Sequence, residues 1–437
     1  MLIPTLDELL NPESQDPAVR RALASADELD PIRLFDITWK REGGVPHVVV
    51  PPEVSGVDAT IVVISGRKFP TGSHKVGPAY SCAREKLISG EITQDGSTLV
   101  FPSTGNYGIG GAWVGPRLGF RSLVVLPEEM SAERFEKIRG YGAEVIATPG
   151  SESNVKEIYD EVGRLRANPE NTILNQFDEM GNYRFHHHVT GNSIQALLVE
   201  LGLDRCDAFV SAMGSSGTIA AGDRLKQLHG GCAIVGLEPV QCPTLYNVGF
   251  GAHGIEGIGD KHVTWVHNVR NMDLLFCIDD QACLEGLQLL QEGLHHVGID
   301  WDVDGVFGVS GLCNLIGAIK TARHLELGAG KVIVTVATDG FDRYPSVLRR
   351  LESNCGPQTA EVAKRRLDAL RNTRADHALD GTMAVRKRWH NQKYFTWVEQ
   401  QGRSVDELNQ LWDPEYWDGQ AAMVPDLDAR TVQWRLG

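Results

Sequence analysis

The sequence predicts an α/β protein built on buried parallel strands, and three observations carry that prediction. Short apolar runs recur along the chain, bounded by glycines and polar turns. Stretches with helical periodicity separate them. Where several of the runs end, a glycine-punctuated loop leads straight into the next helix. Apolar runs that alternate with amphipathic helices are the signature of strands covered by helices on both faces. At 437 residues the chain is too long for one simple core, which implies two or three lobes.

The elements follow in order. The first 45 residues are polar and broken by proline, an N-terminal extension with room for two short helices. Residues 59–64 form the first strand. Residues 97–101 form the next, and a helix opens at Asn106 and runs through Gly115. A strand at 123–126 precedes a helix at 131–141, with Ser131 as its N-cap and Glu133 in the first turn, where the helix dipole favours an acid. A strand at 143–148 and a helix at 154–166 come next. After Thr190 the alternation resumes with a strand at 208–212 that ends in the Gly214 loop. That loop opens a helix through Leu228, and strands at 233–237 and 331–336 follow. Beyond about residue 350 the character changes. Residues 361–371 are helical, and the remainder carries Trp389, Trp397, Trp412, Trp417 and Trp434. A tail this aromatic is expected to pack on its own body, on a second subunit or over the mouth of a site.

Bulk properties exclude several functions. A net charge of -15 argues against a nucleic-acid partner, which needs a basic surface. No apolar run reaches membrane-spanning length, and the N-terminus has no basic stretch ahead of an apolar one. The expectation is a cytoplasmic protein. The eight cysteines form no CxxC pair and are expected to be reduced and mostly buried. Three adjacent histidines, His186, His187 and His188, point in different directions on any regular element, so no metal site is expected there.

Four glycine-punctuated segments concentrate the chemistry. Lys75 lies in Gly72-Ser73-His74-Lys75-Val76-Gly77-Pro78. Its amine must be neutral to form an imine, which a desolvated or cationic setting favours, and His74 is a neighbour able to supply it or to touch a phosphate. Ser103-Thr104-Gly105-Asn106-Tyr107-Gly108 lies between a strand and a helix, where successive N–H groups could hold a carboxylate or simply cap a turn. Gly214-Ser215-Ser216-Gly217-Thr218 joins a strand to a helix, a recipe either for a phosphate site or for a tight turn with capping serines. It has neither a Walker lysine nor GxGxxG spacing. Gly308-Val309-Ser310-Gly311 is the fourth, and no GxSxG elbow accompanies Ser310.

Together, in this order, the segments resemble the fold type II pyridoxal phosphate enzymes of the cysteine synthase and cystathionine beta-synthase group, within the tryptophan synthase beta superfamily. The resemblance covers roughly residues 65 to 350 and extends to 102–110, 126–134, 140–144, 236–239 and 255–259. It implies an α/β fold of two open, mostly parallel sheet domains flanked by helices, with a helical C-terminal extension. Residues 46–95 and 189–350 would form the cofactor domain, and 96–188 a smaller substrate-loop domain. By position, Lys75 would hold pyridoxal 5′-phosphate as an imine, and Asn106 would face its 3′ oxygen. Gly214, Ser215, Ser216, Gly217 and Thr218 would bind its phosphate. Ser310 would face its pyridine nitrogen, and Ser103, Thr104 and Gly105 would bind the substrate carboxylate. Tyr107 stands where cysteine synthases have a small hydroxyl residue, which makes it a candidate substrate contact. Tyr246 and the Phe250 region are further candidates.

The activity so implied is β-replacement on serine or an activated serine through an aminoacrylate, with Lys75 as the general base. The alternatives are a β-eliminating lyase or deaminase, or the β subunit of a two-component enzyme. A homodimer acting on a small amino acid is expected.

Overall fold

The computed structural model describes residues 2–94, 96–103, 105–150 and 155–436. Among these, eleven strands form two sheets. They are β1 (His47–Val49), β2 (Thr60–Ser65), β3 (Thr98–Pro102), β4 (Arg121–Pro127), β5 (Glu144–Thr148), β6 (Asn171–Ile173), β7 (Ala208–Ala212), β8 (Ala233–Pro239), β9 (Leu274–Ile278), β10 (Val332–Ala337) and β11 (Ala378–Asp380). The large sheet has the order β1-β2-β10-β7-β8-β9-β11, and the small one β5-β4-β3-β6. Every pair in the small sheet is parallel. In the large sheet only the edge strands β1 and β11 run antiparallel to their neighbours.

The seven strands expected from sequence are present with ends within two residues of the expected ones. Four others were not anticipated. β1, β6 and β11 have three residues each, too few to show a period. β9 is a five-residue apolar run buried throughout, and such a run cannot be told from buried helix by periodicity. The expected helices are present, with corrected ends. The first runs Asn106–Arg117, and the one after β7 begins only at Ala220, leaving 215–219 as loop. Asn154, the expected start of the Val155–Leu165 helix, lies outside the described residues. Ser131 precedes its helix as expected but does not cap it, because its buried hydroxyl finds no hydrogen-bond partner.

The two ends of the chain meet on the Val76–Ser89 helix, which Lys75 immediately precedes. The amides of Leu6 and Asp7 donate to the Asp428 carboxylate, which also pairs with buried Arg84 at 2.5 Å. Arg435 pairs with Glu8. The tail packs on the chain's own body. Trp389 Nε1 donates to the Leu245 carbonyl at 2.9 Å and Trp397 Nε1 to Val263 at 2.8 Å. The Lys393 ammonium is buried between the Trp265 and His267 carbonyls. Removing either buried indole would cost about 3–5 kcal/mol. The tail therefore clamps the 244–267 segment, and β11 extends the large sheet beyond β9. Among the described residues no helix is long and apolar enough to cross a membrane.

Candidate active site

Ligands in open α/β sheets bind beyond the carboxyl ends of parallel strands. Here both sheets aim such ends at one place. The chain leaves β2 and returns to the end of β10, where Ser73 bridges Asp339 and the His74 amide donates to the Thr338 carbonyl at 3.2 Å. Lys75 is thereby pointed at the loop after β7, and its Nζ donates to Ser215 Oγ at 3.1 Å. Burial pulls the Lys75 pKa down to about 8, and only the opposing charge of Asp260 resists it. The residue as a whole is half-buried, while its amine is desolvated. His74 Nε2 hydrogen-bonds Thr218 Oγ1 at 3.1 Å. Burial, and then the neighbouring Lys75 charge, hold this imidazole neutral, well below its ordinary pKa.

The loop after β7 is an open cradle. Among the described residues, no hydrogen bond is donated by the main-chain amides of Ser215, Ser216, Gly217 or Thr218. Ser216 adopts a left-handed backbone at φ 62°, which splays successive amides. Gly217 is required by close approach, since a Cβ there would overlap the Asn182 side chain. Asn182 Nδ2 donates to Ser215 Oγ at 3.1 Å, and its Oδ1 is buried without a partner. Four free amides beside three hydroxyls and a helix N-terminus suit a dianion such as a phosphate monoester.

The opposite wall comes from the small sheet and is already saturated. Ser103 Oγ accepts from the amides of Gly105 at 2.9 Å and Gly108 at 2.8 Å. Gly105 sits at φ 144°, and a Cβ there would strike the Arg134 guanidinium. Asn106 donates from Nδ2 to Asp339 Oδ2 at 2.6 Å and accepts from Arg134 Nη1 at 3.1 Å. Arg134 is fully buried and also reaches Glu256 at 2.7 Å and the Tyr344 hydroxyl at 3.0 Å. Tyr344 in turn donates to Asp339 at 2.9 Å. This network ties the small sheet to the large one directly over the site.

Several expected residues need correction. Tyr107 is turned into the core, where its hydroxyl donates to the Leu174 carbonyl at 3.2 Å and its ring meets Phe101, so it packs rather than lining the cleft. Phe250 is 76% exposed, and the Tyr246 ring meets His377 of the tail. Thr104 lies outside the described residues. Ser310 is buried in the first turn of the Val309–His324 helix, beside the strand end that carries Asp339. The three adjacent imidazoles separate as expected: His186 binds Thr190 and His187 binds Gln227, each at its own place.

Arg134, Asn182, Glu256, Asp260, Asp339 and Tyr344 were not assigned from sequence. Asp339 carried a signal, a carboxylate directly beyond a buried parallel strand. Asp260 carried another, directly after the glycines of 257–259.

Comparison with known proteins agrees with this geometry. The family model described as pyridoxal-phosphate dependent enzyme matches residues 66–339, well over half of the chain. Cysteine synthase of Staphylococcus aureus is 30% identical over 313 residues, covering 70% of this chain and 93% of that protein. Cystathionine beta-synthase of Saccharomyces cerevisiae is 32% identical over 310 residues, covering 67% of this chain and 58% of that protein. A hydrogen sulfide-producing enzyme of Fusobacterium nucleatum shares the fold with a TM-score of 0.61 at 26% identity, covering 74% of this chain and 94% of that one. The residues present fit the cofactor. A desolvated amine stands at the rim of a cradle whose amides are free for a phosphate. The chain belongs to the pyridoxal-phosphate dependent enzymes, in the group of cysteine synthase and cystathionine beta-synthase.

Proposed function

We propose that the protein catalyses pyridoxal phosphate-dependent β-replacement on serine or an activated serine. The observation that carries this reading is the Lys75 amine, desolvated and held by Ser215 at the edge of the open cradle. In this reading the amides and hydroxyls of 215–218, with His74 behind Thr218, hold the cofactor phosphate. Lys75 would hold its aldehyde carbon, Asn106 its ring oxygen, and Ser310 would serve the ring nitrogen. When bound, the cofactor withdraws electrons from the bonds at the substrate Cα. The chain does the rest. The loop carrying Ser103 and Gly105 receives the substrate carboxylate, the Arg134 network holds Asn106 in place, and Lys75 Nζ takes the Cα proton. Ser310 would offer the ring nitrogen a neutral hydroxyl, with no negative charge to hold it protonated, a setting that would suit loss of the β-substituent.

The division into a cofactor domain of 46–95 and 189–350 and a smaller domain of 96–188 is supported by the strands. β3 to β6 build one sheet, and β1, β2 and β7 to β10 fall in the other. A cytoplasmic homodimer completes the proposal, and sedimentation of the purified protein tests the dimer.

The catalytic reading is tested by product analysis of the loaded protein with L-serine and O-acetyl-L-serine, each with and without a thiol. A thioether or cysteine formed only with the nucleophile present is the expected result. A keto acid and ammonia formed regardless of nucleophile would instead establish the eliminating lyase. The similarity to the hydrogen sulfide-producing enzyme of Fusobacterium nucleatum gives that second reading its support.

A further inference from the structure

A cavity of about 450 Å³ lies between the helix Ala220–His229, which follows the cradle, and the C-terminal tail. Sites for small organic ligands span roughly 300–1,000 Å³. One wall is that helix, with Asp223 and Lys226. A second is the turn that carries Asn268, Arg270 and Asn271. The third is the tail, with Met383, Arg386, Trp417 and Asp418, all beyond residue 339, where the family match ends. The family segment alone therefore does not enclose this space.

The charges on these walls are not matched within the protein. Asp223 is only 5% exposed, and its three donors are all neutral. They are the Tyr183 hydroxyl at 3.0 Å, Asn268 Nδ2 at 2.9 Å and Asn271 Nδ2 at 2.6 Å. Burial raises its pKa to about 6, so it is charged at neutrality. Lys226 attracts it, but the Lys226 ammonium is held by Asp273 at 2.7 Å. Arg386 pairs with the same Asp273 at 2.7 Å, so two cations share one carboxylate. Among the described residues Arg270 has no carboxylate partner. It donates to the Trp412 carbonyl at 2.6 Å and lies over the Trp412 ring. Asn268 Oδ1 is buried without a partner, on the same amide whose Nδ2 binds Asp223. A buried carboxylate without a cation and a buried acceptor without a donor are both costly. They share the cavity with a guanidinium that lacks an anion.

These groups select among ligands. A simple anion would meet Asp223 and Asp418, and a simple cation would meet Lys226, Arg270 and Arg386. A molecule that carries both charges answers both sets. Met383 and Trp417 offer apolar surface to a third group.

We propose that this cavity is a binding site for a free α-amino acid with an apolar side chain. The ammonium sits on Asp223 and Asn268 Oδ1, the carboxylate on Arg270, and the side chain against Met383 and Trp417. The site shares no residue with the Lys75 cleft, yet it adjoins the support of the cradle. Asp223 lies in the first turn of the helix that follows the cradle. Tyr183, which donates to Asp223, follows Asn182, which donates to Ser215 Oγ. The inference does not depend on the β-replacement reading, because it concerns binding at residues which that reading leaves unused.

The test is calorimetric titration of the cofactor-loaded protein with L-leucine, L-methionine and L-phenylalanine. None has a leaving group on Cβ, so none is consumed by the proposed reaction. Each is compared with its amide, which lacks the carboxylate, and with its N-acetyl derivative, which lacks the ammonium. Wild type, Arg270→Gln and Asp223→Asn are titrated in parallel, with folding checked by circular dichroism. At least one of the three amino acids should bind wild type, and its amide and N-acetyl derivative should each bind about tenfold or more weakly. Arg270→Gln should weaken binding by about tenfold or more and remove the preference for the free acid over the amide. Asp223→Asn should remove the preference over the N-acetyl derivative. Should Asp223→Asn fail to fold, Arg270→Gln decides alone, because the half-buried Arg270 side chain closes no buried ion pair. Failure of all three amino acids to bind wild type would overturn the proposal. So would binding that the variants leave unchanged, which would place the amino acid elsewhere, as in the Lys75 cleft. An N-acetyl derivative that binds as tightly as its parent would make this an anion site and overturn the assignment as well.

Discussion

The two walls of the Lys75 pocket differ in how much of their hydrogen-bonding capacity the protein itself uses. On the large-sheet wall, the amides of 215–218, His74 Nδ1, Asn182 Oδ1 and Asp260 Oδ1 have no partner among the described residues. On the small-sheet wall, Ser103 Oγ holds two amides, Asn106 binds Asp339 and Arg134, and Arg134 is further tied to Glu256 and Tyr344. The open wall is ready for a ligand that stays, because its donors are aimed before anything binds. The saturated wall must exchange bonds within the protein for bonds to a ligand. That suits a substrate that enters and leaves.

The largest expected effect separates the walls most sharply. Lys75→Ala should slow release of the β-substituent by about 10³-fold or more, since it removes both the covalent anchor and the base. Pyridoxal phosphate should still be retained on ultrafiltration, because the cradle is intact. Loss of all cofactor binding would show that the open wall does not act alone. The same lysine has a pH signature. Its folded pKa lies below the ordinary 10.5, at about 8, so the amine is charged below that value and neutral above it. Labelling of the cofactor-free chain should therefore rise with pH through about 8. A midpoint near 10.5 would mean an exposed amine.

Arg134→Ala tests the saturated wall. It leaves Glu256 buried without its cation and frees Asn106, at a cost of about 3–5 kcal/mol in the denaturation midpoint free energy. The KM for the amino acid should rise more than the cofactor Kd. The reverse pattern would erase the distinction between the walls.

Gly217→Ala is the smallest of the three and acts on the open wall. The added methyl must push Asn182 aside, an overpacking cost of about 1–3 kcal/mol. Cofactor affinity should fall by about tenfold or more with little change in the KM for serine. Unaltered affinity would show that the loop moves freely and is not preorganised.

By itself the sequence determined the parallel-strand fold, the order of the loops and the location of the lysine and the cradle. The reason is locality. A buried strand declares itself by an unbroken apolar run, and a loop that exposes its amides needs glycine at fixed places within a few residues. Tertiary structure alone decided the groups that meet over long separations. Asn106 meets Asp339 across 233 residues, Arg134 meets Glu256 across 122, and the tail tryptophans brace a segment more than a hundred residues upstream. Tyr107 shows the limit most plainly. Its place in the loop where the resembling family has a small hydroxyl residue suggested the cleft, but its side chain faces the core, where its hydroxyl finds Leu174. A charged or aromatic residue carries no mark of its direction or its partner. Those are set by which helix face is covered and by which buried group would otherwise lack a hydrogen bond.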